Sequence, residues 1–132
     1  MDDERYLLDA SALLALVQDE PAGKDVEQLL SRAAIHAVNL AEVITKLIQH
    51  GLEKAVPLLA TLGIEVIAEF DMEQAEACRR LHAGSRKSGL SLGDCVCLTV
   101  AGAKKLVAVT KEQKWGMAVA VLGIQVLNVP IL

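Results

Sequence analysis

The chain has 132 residues, 53% of them apolar but only 2% aromatic, and carries a net charge of −4. That length allows one domain with a real core, built from Leu, Val, Ile and Ala. With only Tyr6, Phe70 and Trp115 as aromatics, the composition argues against a surface that binds RNA by stacking bases on rings.

The first predicted element is a short apolar strand over residues 6–8, ending at Asp9. Ser11 is placed to cap a helix over 12–17. Asp19, Glu20, Pro21 and Gly23 break that helix, and a second follows over 24–32 with Val26, Leu29 and Leu30 inward. A second strand spans 34–38. Asn39 is then expected to cap a helix reaching about His50, with Leu40, Val43, Ile44 and Leu47 at i, i+3, i+4 and i+7. Gly51 ends it. Residues 52–62 read as a further helix that Pro57 kinks or breaks. The third strand spans 64–68, and Asp71 caps a helix to about Leu81. Residues 83–90 (AGSRKSGL) form a loop, after which Ser91 caps a helix over 92–103. The last strands are 106–109 and 125–129, with a helix over 112–121 between them. Alternation of this kind, with apolar strands on every pass, predicts an α/β fold: one domain across 1–132, a parallel sheet with helices on both faces.

The net charge conceals an asymmetry. Residues 1–77 sum to −10, whereas residues 78–115 sum to +6. A positive field beside an acidic pocket suits a site that attracts a polyanion. Arg79, Arg80, Arg86 and Lys87 are the candidates for contact with the phosphates of such a polyanion. The start MDDERYLL has no basic and apolar signal segment, and no apolar run is long enough to span a membrane. Three cysteines without framework spacing suit a reducing cytoplasm. Cys78, Cys95 and Cys97 read as small core residues rather than zinc ligands.

Four acids stand where a strand hands over to a helix, or within the next turn: Asp9, Glu42, Asp94 and Glu112. In parallel α/β sheets, ligands bind beyond the carboxyl ends of the strands. Carboxylates gathered there repel one another unless a divalent cation offsets them, and such sites commonly act on phosphate esters. Each acid has a plainer reading; for Asp9 it is capping the first helix, for which Ser11 is better placed. Glu42 and Asp94 stand three residues after Asn39 and Ser91, the spacing of a capping box, and Glu112 could be an ordinary first-turn acid. The acidic run Asp71, Glu73 and Glu76 reads as a solvated helix start. No G-x-S-x-G, P-loop or G-x-G-x-x-G is present, so serine-nucleophile chemistry has no support. His36, His50 and His82 form no H-x-x-x-H pair and read as surface or strand residues.

Taken together, DASALLALVQDEPAG, NLAEV, LSLGDCVCLTVA and VTKEQKW resemble the four blocks of a PIN domain, specifically of the VapC-type toxin ribonucleases. The match runs over about 6–129. It implies a Mg²⁺- or Mn²⁺-dependent endoribonuclease in which Asp9 and Asp94 hold the metal, with Glu42 and Glu112 acting directly or through water. Glu112 departs from the family pattern, which has the shorter Asp there. Ser11 and Thr110 match polar residues beside the acids. The resemblance also implies a cognate antitoxin and a homodimer. Two rivals remain. A phosphorylated receiver domain needs an acidic doublet after its first strand and a phosphoacceptor Asp ending its third, where this chain has Ala68-Glu69-Phe70. The other rival is a PIN-like scaffold that binds RNA or protein without cutting.

Overall fold

The computed structural model describes residues 3–84, 89–115 and 122–131. Five strands form one all-parallel sheet: β1 (Tyr6–Leu8), β2 (Ala33–His36), β3 (Glu65–Ile67), β4 (Val107–Thr110) and β5 (Val126–Asn128). Their order is β3-β2-β1-β4-β5. The helices are α1 (Ala10–Val17), α2 (Gly23–Leu29), α3 (Ala37–Gln49), α4 (Met72–Gly84) and α5 (Leu92–Lys104).

Every residue of β1, β2 and β4 is buried, as expected of central parallel strands covered on both sides. Their side chains alternate between two cores. Tyr6, Leu8, Ala33, Ile35, Val107 and Val109 pack with α1, α2 and α3. Leu7, Ala34 and Ala108 face the other way, toward Cys78 of α4, Trp115, and Cys95, Cys97 and Leu98 of α5. The expected two-faced α/β sheet is therefore present, and Cys78, Cys95 and Cys97 are buried in its second core. Gly23 lets α2 approach α1 closely: a β-carbon there would lie 2.5 Å from the Ala15 carbonyl oxygen.

Several expected boundaries differ, each for a local reason. Asp9, not Ser11, is the N-cap of α1; its backbone is extended and its carboxylate accepts from the Ala12 amide. Asn39 is not a cap either. β2 stops at His36, whose ring Nδ1 accepts from the Val38 amide, so α3 begins at Ala37 and Asn39 lies inside its first turn. Residues Glu53–Thr61 form a 3-10 helix around Pro57 rather than an α-helix, consistent with a proline that has no N–H to donate. The second helix splits into α2 and a 3-10 turn, Leu30–Arg32. After β4 the chain makes a 3-10 turn, Gln113–Trp115; the rest of the expected 112–121 helix lies outside the described residues. The caps at Asp71 and Ser91 are as expected. No helix among the described residues is long and apolar enough to cross a membrane.

Candidate active site

The chain adds β2 and β3 on one side of β1, then crosses to place β4 and β5 on the other. The crevice beyond the carboxyl ends of β1 and β4 is thus the switch point at which such sheets bind ligands. Asp9 directly follows β1 and Thr110 ends β4. The parallel ladder extends to them, with the Asp9 amide donating to the Val109 carbonyl at 3.0 Å.

Asp9 is 3% exposed and Thr110 fully buried. The Thr110 hydroxyl donates to Asp9 Oδ2 at 2.6 Å. Ser11 Oγ donates to the same carboxylate, 2.8 Å from Oδ1 and 3.0 Å from Oδ2, and the Ala12 amide donates to Oδ1 at 2.8 Å. Ser11 Oγ in turn accepts from the Lys111 amide at 3.0 Å, and Thr110 Oγ1 accepts from the Glu112 amide at 2.9 Å. Ser11 and Thr110 therefore connect the loop after β4 to the acid after β1.

Burial is the largest influence on Asp9 and pushes its carboxyl from the ordinary 3.8 up to about 6. The bonds from Thr110, Ala12 and Ser11 pull it back, while the negative charge of Asp94 adds to the rise. The Cys97 thiol, fully enclosed, is held well above its usual range by burial first and then by Asp9, Asp94 and Glu42. Acids from three separate segments thus act on one spot in the fold.

Asp94 lies in the first turn of α5, where the capping box is real: Ser91 Oγ accepts from the Asp94 amide, and Asp94 Oδ2 accepts from the Ser91 amide at 2.9 Å. Glu42 has no such role, because the N-cap of α3 is His36, six residues earlier. Its Oε1 instead accepts from Asn39 Nδ2 at 2.9 Å. Glu112 joins the network through its backbone: its amide reaches Thr110, and its carbonyl accepts from Asn128 Nδ2 at 2.8 Å.

Among the described residues, no three His, Cys, Asp or Glu side chains stand close enough to hold a metal ion as placed. The charge of Asp94 nonetheless bears on Asp9. The donors fit a hard divalent cation in kind, being carboxylate oxygens with a buried Asp that has no salt bridge among the described residues.

The basic residues are more constrained than their count suggests. Arg79 and Arg80 both pair with Glu76, at 2.7 and 3.6 Å, and Lys111 pairs with Glu20. Arg86 and Lys87 lie outside the described residues.

His36, expected to be a strand or surface residue, ends strand β2 and is 2% exposed; its role as the cap of α3 and the closeness of Gly93 to Glu42 escaped the sequence reading. The His36 Nδ1 accepts from Val38, which leaves Nε2 to donate to the Glu69 carbonyl at 3.1 Å. Gly93 lies against the Glu42 carboxylate; a glycine inside an apolar helical pattern was the available signal.

The fold is a doubly wound parallel α/β sheet with Asp9 and Thr110 at its switch point. The PIN domain model matches residues 6–117, and the chain belongs to that family. No curated protein matches its sequence. Among solved structures, DNA-bound VapBC from Salmonella typhimurium is similar, with TM-score 0.72, 19% identity, and coverage of 95% of this chain and 98% of that one. VapC20 from Mycobacterium tuberculosis, described as a Sarcin-Ricin loop cleaving toxin, gives 0.71 at 15% identity, covering 86% and 94%. FitAcB from Neisseria gonorrhoeae gives 0.61 at 16%, covering 93% and 96%. At these identities the likeness is one of fold.

Proposed function

We propose that this PIN domain is a divalent-metal-dependent endoribonuclease and the toxin of a toxin–antitoxin pair. The observation that carries the reading is Asp9: a buried carboxylate at the switch point, held by Thr110, Ser11 and the Ala12 amide and set against the charge of Asp94. Membership of the family and the fold shared with VapBC complexes support it.

In this reading Asp9 and Asp94 hold Mg²⁺ or Mn²⁺, with Glu42 and Glu112 acting directly or through water. When bound, the cation lowers the pKa of water and offsets charge growing on the phosphoryl oxygens. The chain's own residues do the positioning. Thr110 and Ser11 fix the Asp9 carboxylate, the capping box fixes Asp94, and Asn128 secures the backbone of Glu112. Arg79, Arg80, Arg86 and Lys87 guide the RNA backbone. An antitoxin protein, a homodimeric state and a cytoplasmic location complete the proposal.

One observation favours a second reading, a PIN scaffold that binds RNA or protein without cutting: no described trio of side chains is close enough to hold an ion as it stands. Incubating labelled RNA with the purified protein and Mg²⁺ or Mn²⁺, with and without EDTA, separates the two. Fragments that appear only without EDTA support the nuclease. Intact RNA in both arms supports the scaffold.

A further inference from the structure

Glu42 comes from α3, on the face of the sheet opposite α4, and needs a reason to end against Gly93 in the first turn of α5. Asn39 supplies half of it. Asn39 is 1% exposed, and its Nδ2 donates to Glu42 Oε1 at 2.9 Å and to the Gly93 carbonyl at 3.1 Å. Both partners are acceptors, so the amide cannot be turned round without setting Oδ1 against two oxygens. That orientation leaves Oδ1 buried with no hydrogen-bond partner among the described residues, a cost that a side chain serving only to fill space would avoid.

Gly93 supplies the other half. It is the second residue of α5 and is buried. A β-carbon there would stand 2.6 Å from Glu42 Cδ and closer still to both carboxylate oxygens. The carboxylate of Glu42 therefore occupies the volume that a side chain at 93 would take. Any other residue at 93 and the present position of Glu42 exclude each other.

We propose that Asn39 and Gly93 form a seat that holds the Glu42 carboxylate against the first turn of α5, next to Asp94. Both are positioning residues: neither is asked to touch substrate. The seat explains how a helix from one face of the sheet contributes an acid to a site built mainly from β1, β4 and α5. It rests on the metal-site reading above.

The test uses Gly93→Ala, Asn39→Ala, Glu42→Ala and Glu42→Asp, alone and in pairs, with Mn²⁺ affinity measured by calorimetry in the absence of RNA. Alanine is a better helix former than glycine, so a loss in Gly93→Ala does not come from the backbone of α5. The seat predicts that Gly93→Ala lowers Mn²⁺ affinity by roughly tenfold or more, the usual effect of disturbing a ligand's support. It predicts that the Gly93→Ala/Glu42→Ala pair binds no worse than Glu42→Ala alone. Shortening the acid should relieve the conflict, so Gly93→Ala/Glu42→Asp recovers affinity relative to Gly93→Ala. A Gly93→Ala protein with unaltered affinity, or losses that simply multiply, overturns the seat. Should the unmutated protein bind Mn²⁺ but leave RNA intact, the nuclease reading fails while this comparison still decides the seat. Should it bind no Mn²⁺, melting temperatures decide. Losses from Asn39→Ala and Glu42→Ala that overlap in the pair uphold the seat, and losses that add reject it.

Discussion

Replacing Asp9 by Asn should make the metal-free protein more stable at neutral pH while removing its proposed chemistry. Burial and the charge of Asp94 raise the Asp9 carboxyl from 3.8 to about 6, a rise of about 2 units, or roughly 3 kcal/mol at about 1.4 kcal/mol per unit. Between pH 3.8 and about 6 the folded protein keeps a proton that the unfolded chain has released. Stability therefore falls as pH rises through that window and levels off above it; at the acid end the penalty vanishes. Asn is a good N-cap and its Oδ1 can still accept from the Ala12 amide. It cannot accept from both hydroxyls as the carboxylate does, which returns about 1 kcal/mol. The net gain is about 1–2 kcal/mol, a rise in Tm of roughly 3–8 °C for a chain of this size. The assay is thermal melting in EDTA from pH 4 to 8, repeated with Mg²⁺. The Asn variant should be the less stable by about 1 kcal/mol near pH 4 and the more stable by pH 7, and Mg²⁺ should raise the Tm of the unmutated protein alone. A difference independent of pH, or an Asn variant less stable at pH 7, would refute the reasoning.

Thr110→Val removes a buried donor 2.6 Å from Asp9 Oδ2; stability should fall by about 1–3 kcal/mol, and the Asp9 titration, followed by carboxyl NMR, should move further up. Asp94→Asn keeps an oxygen that can accept from the Ser91 amide, so Tm should change by no more than about 4 °C while RNA cleavage disappears; retained cleavage would reduce Asp94 to a helix cap. Arg86→Ala with Lys87→Ala should weaken RNA binding and flatten its dependence on salt by about 0.7 log units per log salt for each phosphate no longer neutralised. An unchanged slope, measured by fluorescence anisotropy, would show that these two residues do not touch the RNA backbone. The pairing of Arg79 and Arg80 with Glu76 predicts a smaller effect from neutralising those two.

The sheet was legible because its signal is burial itself. Three central strands buried on both faces read as unbroken apolar runs, and the helices between them left few topologies open. Cap chemistry was less legible. Ser11 and Asn39 are good cap residues by type, yet the chain uses Asp9 and His36. A carboxylate that both caps α1 and faces the switch point has no separate signature in sequence. His36 caps through a ring nitrogen, which residue preferences do not anticipate. Asp9 was legible by its place directly after β1, but Asp94 begins a helix that follows α4 rather than a strand, and what seats Glu42 was not legible. Gly93 acts by having no side chain, and its effect depends on a residue 51 positions away in the chain.

The most direct measurement is the rate of RNA cleavage as Mn²⁺ is titrated into the unmutated protein, Asp9→Asn and Asp94→Asn, each first shown to be folded by its melting curve. The account predicts a rate that saturates with Mn²⁺ for the unmutated protein, returns to zero on adding EDTA, and is absent from both folded variants. Cleavage that persists in folded Asp9→Asn, or that is indifferent to Mn²⁺ and EDTA, would contradict it.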